Sequence, residues 1–391
     1  MIRHLCKLAW NRKRANALTA FQIFISFLIV FITASLAVDK ANTYRQPLGF
    51  SYEDRWVVEF REDRARPAPS EAEVPNRRQI YQTLEEFDWV ESVAAVDRAA
   101  IPYGFTRYGF DIGRQMVYHG YVSDEFHEVF DLELVSGRWF GEEDAALDWE
   151  PLVITQPLSE ELFGHEDPIG QQIEEWGGDD RDGRVIGVVS AYRRSGELSD
   201  TEFFMLARLE DDYSHHVHFV VTVRPDTPLA AQEQIFKRLK AMAPWYIVDI
   251  TTLEEDRASS FKLTLTYLFA AGVVSVLVMG MVALSLSGVL WQRTTLRIEE
   301  IGLRRALGGS AASIYAQLTG EMLVVASIGV IAGLLLVLQF PLLELLDYTG
   351  GTYALSIALA ALIIYGLVIV CSLYPGRLAC QVRPVEALHH E

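Results

Sequence analysis

Leu18–Val38 is LTAFQIFISFLIVFITASLAV, and Leu263–Trp291 is LTLTYLFAAGVVSVLVMGMVALSLSGVLW. Neither contains Asp, Glu, Lys, Arg or His, and two further uncharged stretches follow, Met322–Leu343 and Tyr348–Gly376. Each exceeds the roughly 20 residues that a helix needs to cross about 30 Å of hydrocarbon. A charged block of about 220 residues separates the first from the second. The pattern predicts a membrane α-helical fold with four transmembrane helices in a 1+3 arrangement, over 18–38, 263–291, 321–343 and 353–373. Residues 1–17, 292–320, 344–352 and 374–391 then form the terminal segments and short connections, and 39–262 an inserted extracytoplasmic α+β domain.

Half of the residues are hydrophobic, which suits a chain that is part membrane and part water-compatible domain. The net charge of −18 is unevenly spread. Residues 39–262 hold 45 acidic and 23 basic side chains, whereas the rest of the chain is net basic. So acidic a domain argues against nucleic acid as a partner, because phosphate binding needs a basic surface. All three cysteines, Cys6, Cys371 and Cys380, lie outside it, so it carries no disulfide framework.

Basic residues orient the helices. Arg3, Lys7, Arg12, Lys13 and Arg14 precede the first, Arg293, Arg297, Arg304 and Arg305 follow the second, and Arg377 and Arg383 follow the fourth. The turn between the third and fourth carries only Glu344 and Asp347. The positive-inside rule assigns both termini and the 292–320 joint to the cytoplasm, and 39–262 to the outside of a cell (inner or plasma) membrane. A cleaved signal peptide is the alternative reading of Leu18–Val38. The stretch is long for one, and no clear small-x-small cleavage site follows Val38.

Inside the outer domain a pattern occurs twice. Trp56–Phe60, a strand-like run, leads to a helical stretch with Ile80, Leu84 and Phe87, then to Trp89 and a second run, Val90–Val96. Val217–Val223 leads likewise to Ile235, Leu239 and Met242, then to Trp245 and Tyr246–Ile250. Both helical stretches place apolar residues at i, i+4 and i+7, one face of a 3.6-residue period. Two strand–helix–strand units predict a small α+β layer. Residues about 105–205, with short apolar runs such as Leu152–Ile154 and Val185–Val189, interrupt the repeat as an inserted, mostly β subdomain. Pro67–Pro75 is expected to be a loop.

Motifs for catalysis are missing. There is no phosphate-binding G-x-x-x-x-G-K-[ST] loop, no G-x-S-x-G elbow and no H-E-x-x-H helix. His215, His216 and His218 cluster, but alternation along a strand sets His215 on the opposite face and no cysteine supports them, so a surface strand start is preferred to a metal site. No catalytic, cofactor or metal residue is assigned. Charged residues within membrane helices mark ion paths; none is expected within the four helices, which weakens an ion-coupled transporter reading. Gly329-x-x-x-Gly333 permits close helix packing. The apolar run from Leu263 to Trp291 is about 43 Å long as a helix, and is expected to join the outer domain directly.

The joint reads RTTLRIEEIGLRRALGGSAASIYAQLTGE, with Leu296, Glu299, Glu300 and Leu303 at helical spacing, a break at Gly308-Gly309 and Ser310 as an N-cap. Its mixed charge suits a protein-docking helix better than a basic anchor to anionic lipid. Glu299–Ser310, EEIGLRRALGGS, resembles the REIGxRRALGA signature of MacB/FtsX-type ABC transporter permeases. The tail YPGRLACQVRPVEALHHE is similar to that family's ending, and Gly137–Asp144 (GRWFGEED), Leu162–Ile173 (LFGHEDPIGQQI) and Val185–Val189 (VIGVV) resemble its periplasmic core. Glu299 stands where the signature has Arg, Gly309 where it has Ala, and His389-His390 where the tail has Arg-Tyr.

The resemblance implies a permease subunit that binds no cofactor itself. An ABC ATPase in trans would bind ATP, and a second permease subunit, identical or paralogous, would complete a dimer within membrane lipid. ATP binding would draw the cytoplasmic ends together and relay the motion to the outer domain, whose halves resemble a porter fold. The residues expected to dock the ATPase are Glu299, Glu300, Gly302, Arg304, Arg305 and Gly308. Export or another envelope task is the first reading. An ATPase-driven regulatory complex that senses a ligand or activates an envelope enzyme, FtsX-like, is the alternative, and a membrane-anchored enzyme is the least favoured. A periplasmic adaptor as a further partner would favour export.

Overall fold

The computed structural model describes residues 13–62, 76–173, 182–200, 202–210, 217–295, 310–343 and 348–381. The chain divides into two compact units, one of residues 1–42 with 265–391 and the other of residues 43–264. Helix α1 spans Lys13–Thr43, extending the expected 18–38 at both ends.

The second unit is built on strands β1 (Arg55–Glu62), β2 (Val90–Asp97), β3 (Tyr108–Ile112), β4 (Gln115–Val122), β5 (Leu134–Gly137), β6 (Glu150–Thr155), β7 (Gln172–Ile173), β8 (Gly183–Val189), β9 (Phe204–Arg208), β10 (Val217–Val223) and β11 (Tyr246–Thr252). Helix α2 (Arg77–Glu85) joins β1 to β2, and α3 (Phe126–Val129) and α4 (Gln156–Phe163) lie within the middle section. Helix α5 (Gln232–Met242) joins β10 to β11. A capping box starts α2: the Asn76 side chain accepts from Arg78 N, and the Gln79 side chain accepts from Asn76 N.

The two strand–helix–strand units interleave. The strand order is β11-β1-β10-β2, and all three pairings are antiparallel. Each unit's own two strands are therefore separated by one strand of the other, a split βαβ arrangement. One face of this layer buries Trp56, Val58, Val93, Ala95, Phe219 and Val221 against Ile80 and Leu84 of α2 and Ile235 and Leu239 of α5. The other face buries Val57, Ala94, Val96 and Val220 in a second core with Phe126, Phe130, Tyr192 and Phe204. Burial on both faces explains why β2 and β10 are near-continuous apolar runs without polar alternation.

The sequence suggests an inserted β subdomain over about 105–205; its strands continue the same sheet, in the order β4-β9-β6-β8-β5 beyond β2. A single residue pair, Val96–Val122, makes the β2–β4 ladder. Pairing there covers an edge that β2 would otherwise present to solvent. The section is mixed, with β4–β9 and β6–β8 parallel and β6–β9 antiparallel.

Helix α6 (Leu253–Thr295) begins at the residue after β11 and has 43 residues, about 65 Å. It starts ten residues before the expected 263, because Thr252 ends the strand and its hydroxyl accepts from Glu255 N as a cap. Helix α7 spans Ala311–Val337 and α8 Gly350–Gln381. Among the described residues four helices are long and apolar enough to cross a membrane: Asn16–Thr43, Leu253–Gln292, Thr319–Leu343 and Gly350–Ser372.

In the first unit, Ile23, Phe27 and Phe31 of α1 pack with Val282 and Leu286 of α6, Met322 and Ala326 of α7, and Ile364 and Val368 of α8. A Cβ on Gly329 would lie 2.6 Å from the Ala20 carbonyl oxygen, and one on Gly333 would overlap the Phe27 ring. These two glycines therefore set the close approach of α7 to α1. Hydroxyl pairs cross the bundle, Thr33–Ser275 at 2.6 Å and Ser327–Tyr365 at 3.0 Å. One expectation needs correcting: the span Thr319–Leu343 contains a charged residue, Glu321. It is buried and accepts from Gln317 Nε2 at 3.4 Å.

Candidate functional site

The docking residues expected from the sequence, Glu299, Glu300, Gly302, Arg304, Arg305 and Gly308, lie outside the described residues, as do His215, His216 and residues 382–391. The flanks of that segment are defined. Helix α6 ends at Thr295, and α7 begins behind Ser310, whose Oγ accepts from Ser313 N at 3.2 Å.

Within the second unit, the chain leaving α1 and the start of α6 meet a tight loop after β8. Arg193, 2 % exposed, donates from Nη1 to Gln46 O at 3.0 Å and from Nη2 to Glu197 O and Ser199 O, both at 2.7 Å. Its backbone N–H donates to Leu48 O. Gly49 makes this approach possible: φ is +85°, and a Cβ would overlap the Ala191 carbonyl. On the α6 side, Arg257 Nε donates to Glu197 Oε1, its guanidinium lies 4.6 Å from the Tyr52 ring centroid, and Ser260 Oγ donates to Ser195 O at 3.4 Å. Glu254 accepts from Asp54 N at 2.9 Å, and the Tyr44 and Phe261 rings meet edge-on.

The same loop grips the segment after β2. Arg194 donates to Thr106 O at 2.5 Å, its own carbonyl accepts from Tyr103 N at 2.7 Å, and the Tyr192 hydroxyl donates to Ala100 O. Burial lowers the pKa of both arginines, opposed by Glu202 and, for Arg193, by Glu197 and Asp200. Asp97 accepts from Ala99 N and Ala100 N, and burial pushes its carboxyl up to about 6.

A cleft of about 270 Å³ opens in this unit beside Tyr103, Phe105 and Asp256. Its floor includes Asp249, Glu59 and His218, directly opposed across β11, β1 and β10. Burial, with Glu255, Asp249 and Glu59 nearby, raises the Asp256 pKa. Arg98 and Arg61 neutralise part of the charge, at 2.8 Å from Glu59 and 2.7 Å from Asp249. His218 is thus a buried strand residue rather than a surface strand start. Among the described residues no group of three or more His, Cys, Asp or Glu is placed to hold a metal ion.

The motifs of the outer domain prove to be structural. Arg138 binds Asp144 through two guanidinium nitrogens at 2.5 and 2.6 Å, and Gly141 N donates to the same carboxylate. Burial opposes the charge on Asp144, but these donors prevail and hold its pKa below the usual range. Gly170 N donates to Val185 O and Val185 N to Gln171 O, which stitches the second motif to the third. Sequence reasoning passed over Tyr192-Arg193-Arg194; the signal was an Arg pair in an acidic domain directly after an apolar strand.

Comparison with known families matches residues 17–238 to a MacB-like periplasmic core domain and 272–384 to an FtsX-like permease C-terminal region. The macrolide export ATP-binding/permease protein MacB 1/2 of Paracoccus denitrificans is 31% identical over 281 residues, 68% of this chain and 41% of that protein. The corresponding MacB of Bdellovibrio bacteriovorus is 28% identical over 66% of this chain and 41% of its own length. The chain therefore spans about 41% of the length of these relatives. YvrN of Bacillus subtilis, an uncharacterized ABC transporter permease, is 22% identical over 69% of each chain. Among solved structures, the periplasmic region of MacB from Actinobacillus actinomycetemcomitans aligns with 56% of this chain and 97% of its own, at 15% identity and a TM-score of 0.38. With a MacB-like core between the first and second of four membrane-length helices, and an FtsX-like region over the remaining three, the chain belongs to the MacB/FtsX-type family of ABC transporter permeases.

Proposed function

We propose that this permease subunit relays ATP-driven motion of an ABC ATPase across the membrane to its outer domain. The observation that carries the reading is α6, one uninterrupted helix of 43 residues that starts at the last strand of the split βαβ layer. At about 65 Å it is twice the hydrocarbon thickness, the form expected of a lever. The run from Leu263 to Trp291 carries no charged side chain, which weakens an ion-coupled reading for that helix. Several relatives are ATP-binding/permease proteins by name, which supports an ATPase as the engine, here proposed as a partner subunit. The termini and the 292–320 segment are proposed to be cytoplasmic, with Glu299, Glu300, Gly302, Arg304, Arg305 and Gly308 receiving the ATPase. The outer layer acts as a porter-like half that follows the helices. Val273, Leu277, Leu284 and Trp291 are exposed on α6, away from the buried Ser275, Val282 and Leu286. A second permease subunit is proposed to pack there. Export is the task that the relatives' names favour.

ATPase closure can shift the permease only by its differential affinity for two states. The test reverses the charge of Arg304 and Arg305 and measures permease-stimulated ATP hydrolysis in membranes. Loss of stimulation is expected, and unchanged stimulation would refute the docking role.

A further inference from the structure

We propose that the loop Tyr192–Ser199 is the coupling clasp of the outer domain. It locks the chain leaving α1 and the base of α6 into one body and passes their joint movement to residues 98–106 beside the cleft. This rests on the relay reading above.

Three sets of contacts converge on eight residues. Arg193 holds the α1 side through Gln46 O and Leu48 O, Glu197 and Ser195 hold the α6 side through Arg257 and Ser260, and Arg194 and Tyr192 hold Thr106, Tyr103 and Ala100. The loop is closed on itself by Gly196 N to Arg193 O, by Ser199 N to Gly196 O and by two carbonyls on the Arg193 guanidinium, so it transmits force without needing outside support. A buried guanidinium whose two Nη atoms are held by carbonyls from two segments is a costly device unless both segments stay in place. Its hydrogen bonds are charge-assisted and directional, which suits a joint that must not slip. A chain carrying two helical levers needs such a brace, because levers that slide past each other at the base would deliver no motion above it. Arg193 acts here as a positioning residue.

The test uses the full chain with its ATPase in lipid nanodiscs, and hydrogen–deuterium exchange with and without ATP plus vanadate. In the unmodified complex, nucleotide changes exchange in both α6 and residues 98–106. Arg257→Glu breaks the α6 side; the α6 response is expected to persist while the 98–106 response is lost. Adding Glu197→Arg restores the pair with reversed charges and should restore the response. Glu197→Gln serves as a milder break if Arg257→Glu lowers the unfolding temperature too far. An undiminished 98–106 response in a folded break variant, or failure of the swap to restore it, overturns the clasp and leaves the relay standing. Absence of any nucleotide response in α6 of the unmodified complex overturns the relay reading instead, and the clasp with it.

Discussion

Gly49→Ala tests the close approach of the chain leaving α1 to the loop after β8. Gly49 has φ +85°, and a Cβ there would overlap the Ala191 carbonyl oxygen, lie 2.5 Å from its carbon and 2.9 Å from the Ala191 Cβ. Two costs combine. A left-handed conformation costs an L-residue roughly 1–2 kcal/mol. Overpacking against atoms that cannot swing aside adds roughly 1–3 kcal/mol, and the obstacle here is mainly backbone. The sum is about 3 kcal/mol, a large share of the roughly 5–15 kcal/mol that holds a domain folded. For a unit of about 220 residues this lowers the melting temperature by roughly 6–12 °C, at ~2–4 °C per kcal/mol. Gly170 supplies the control: φ is +84° and nothing lies within 4 Å of a Cβ placed there, so Gly170→Ala carries only the conformational cost. Tryptophan-fluorescence melting of the full chain in detergent reads both variants. If Gly49→Ala melts no lower than Gly170→Ala, residues 46–49 do not lie against the loop at 191–193, and the reasoning fails.

Two further outcomes follow from buried groups. The folded pKa of Asp97 is raised from 3.8 to about 6, so its contribution favours the folded state below pH ~4 and is lost as pH rises through ~6, about 3 kcal/mol in all. Asp97→Asn removes this dependence, so the variant's melting temperature should rise relative to the parent's between pH 4 and 7; a constant difference across that range would contradict the burial argument. In the membrane unit, Gly333→Ala should lower the unfolding midpoint despite a helix-propensity gain of ~1 kcal/mol, because its Cβ meets the buried Phe27 ring, whereas Gly366→Ala, facing open space, should be neutral or stabilising. Equal responses of the two glycines would discount the α1–α7 approach.

The four membrane helices and the two strand–helix–strand units were legible in the residues because both signals are local. Transfer of an apolar segment into hydrocarbon sums over its own side chains, and an amphipathic helix declares itself by the spacing of Ile80 and Leu84 or Ile235 and Leu239. The family motifs were recognisable by their resemblance to known permeases, and GRWFGEED gave no hint that Arg138 pairs with Asp144. Tertiary structure alone decided the interleaved order β11-β1-β10-β2 and its extension past Val96–Val122, since register between strands far apart in sequence depends on which edges remain to be covered. It also decided the position of Arg193. A guanidinium specifies donors but not partners, and the carbonyls of Gln46, Glu197 and Ser199 converge on it only after the chain has folded. Composition and periodicity determined what each segment is made for; long-range packing determined which segments hold one another.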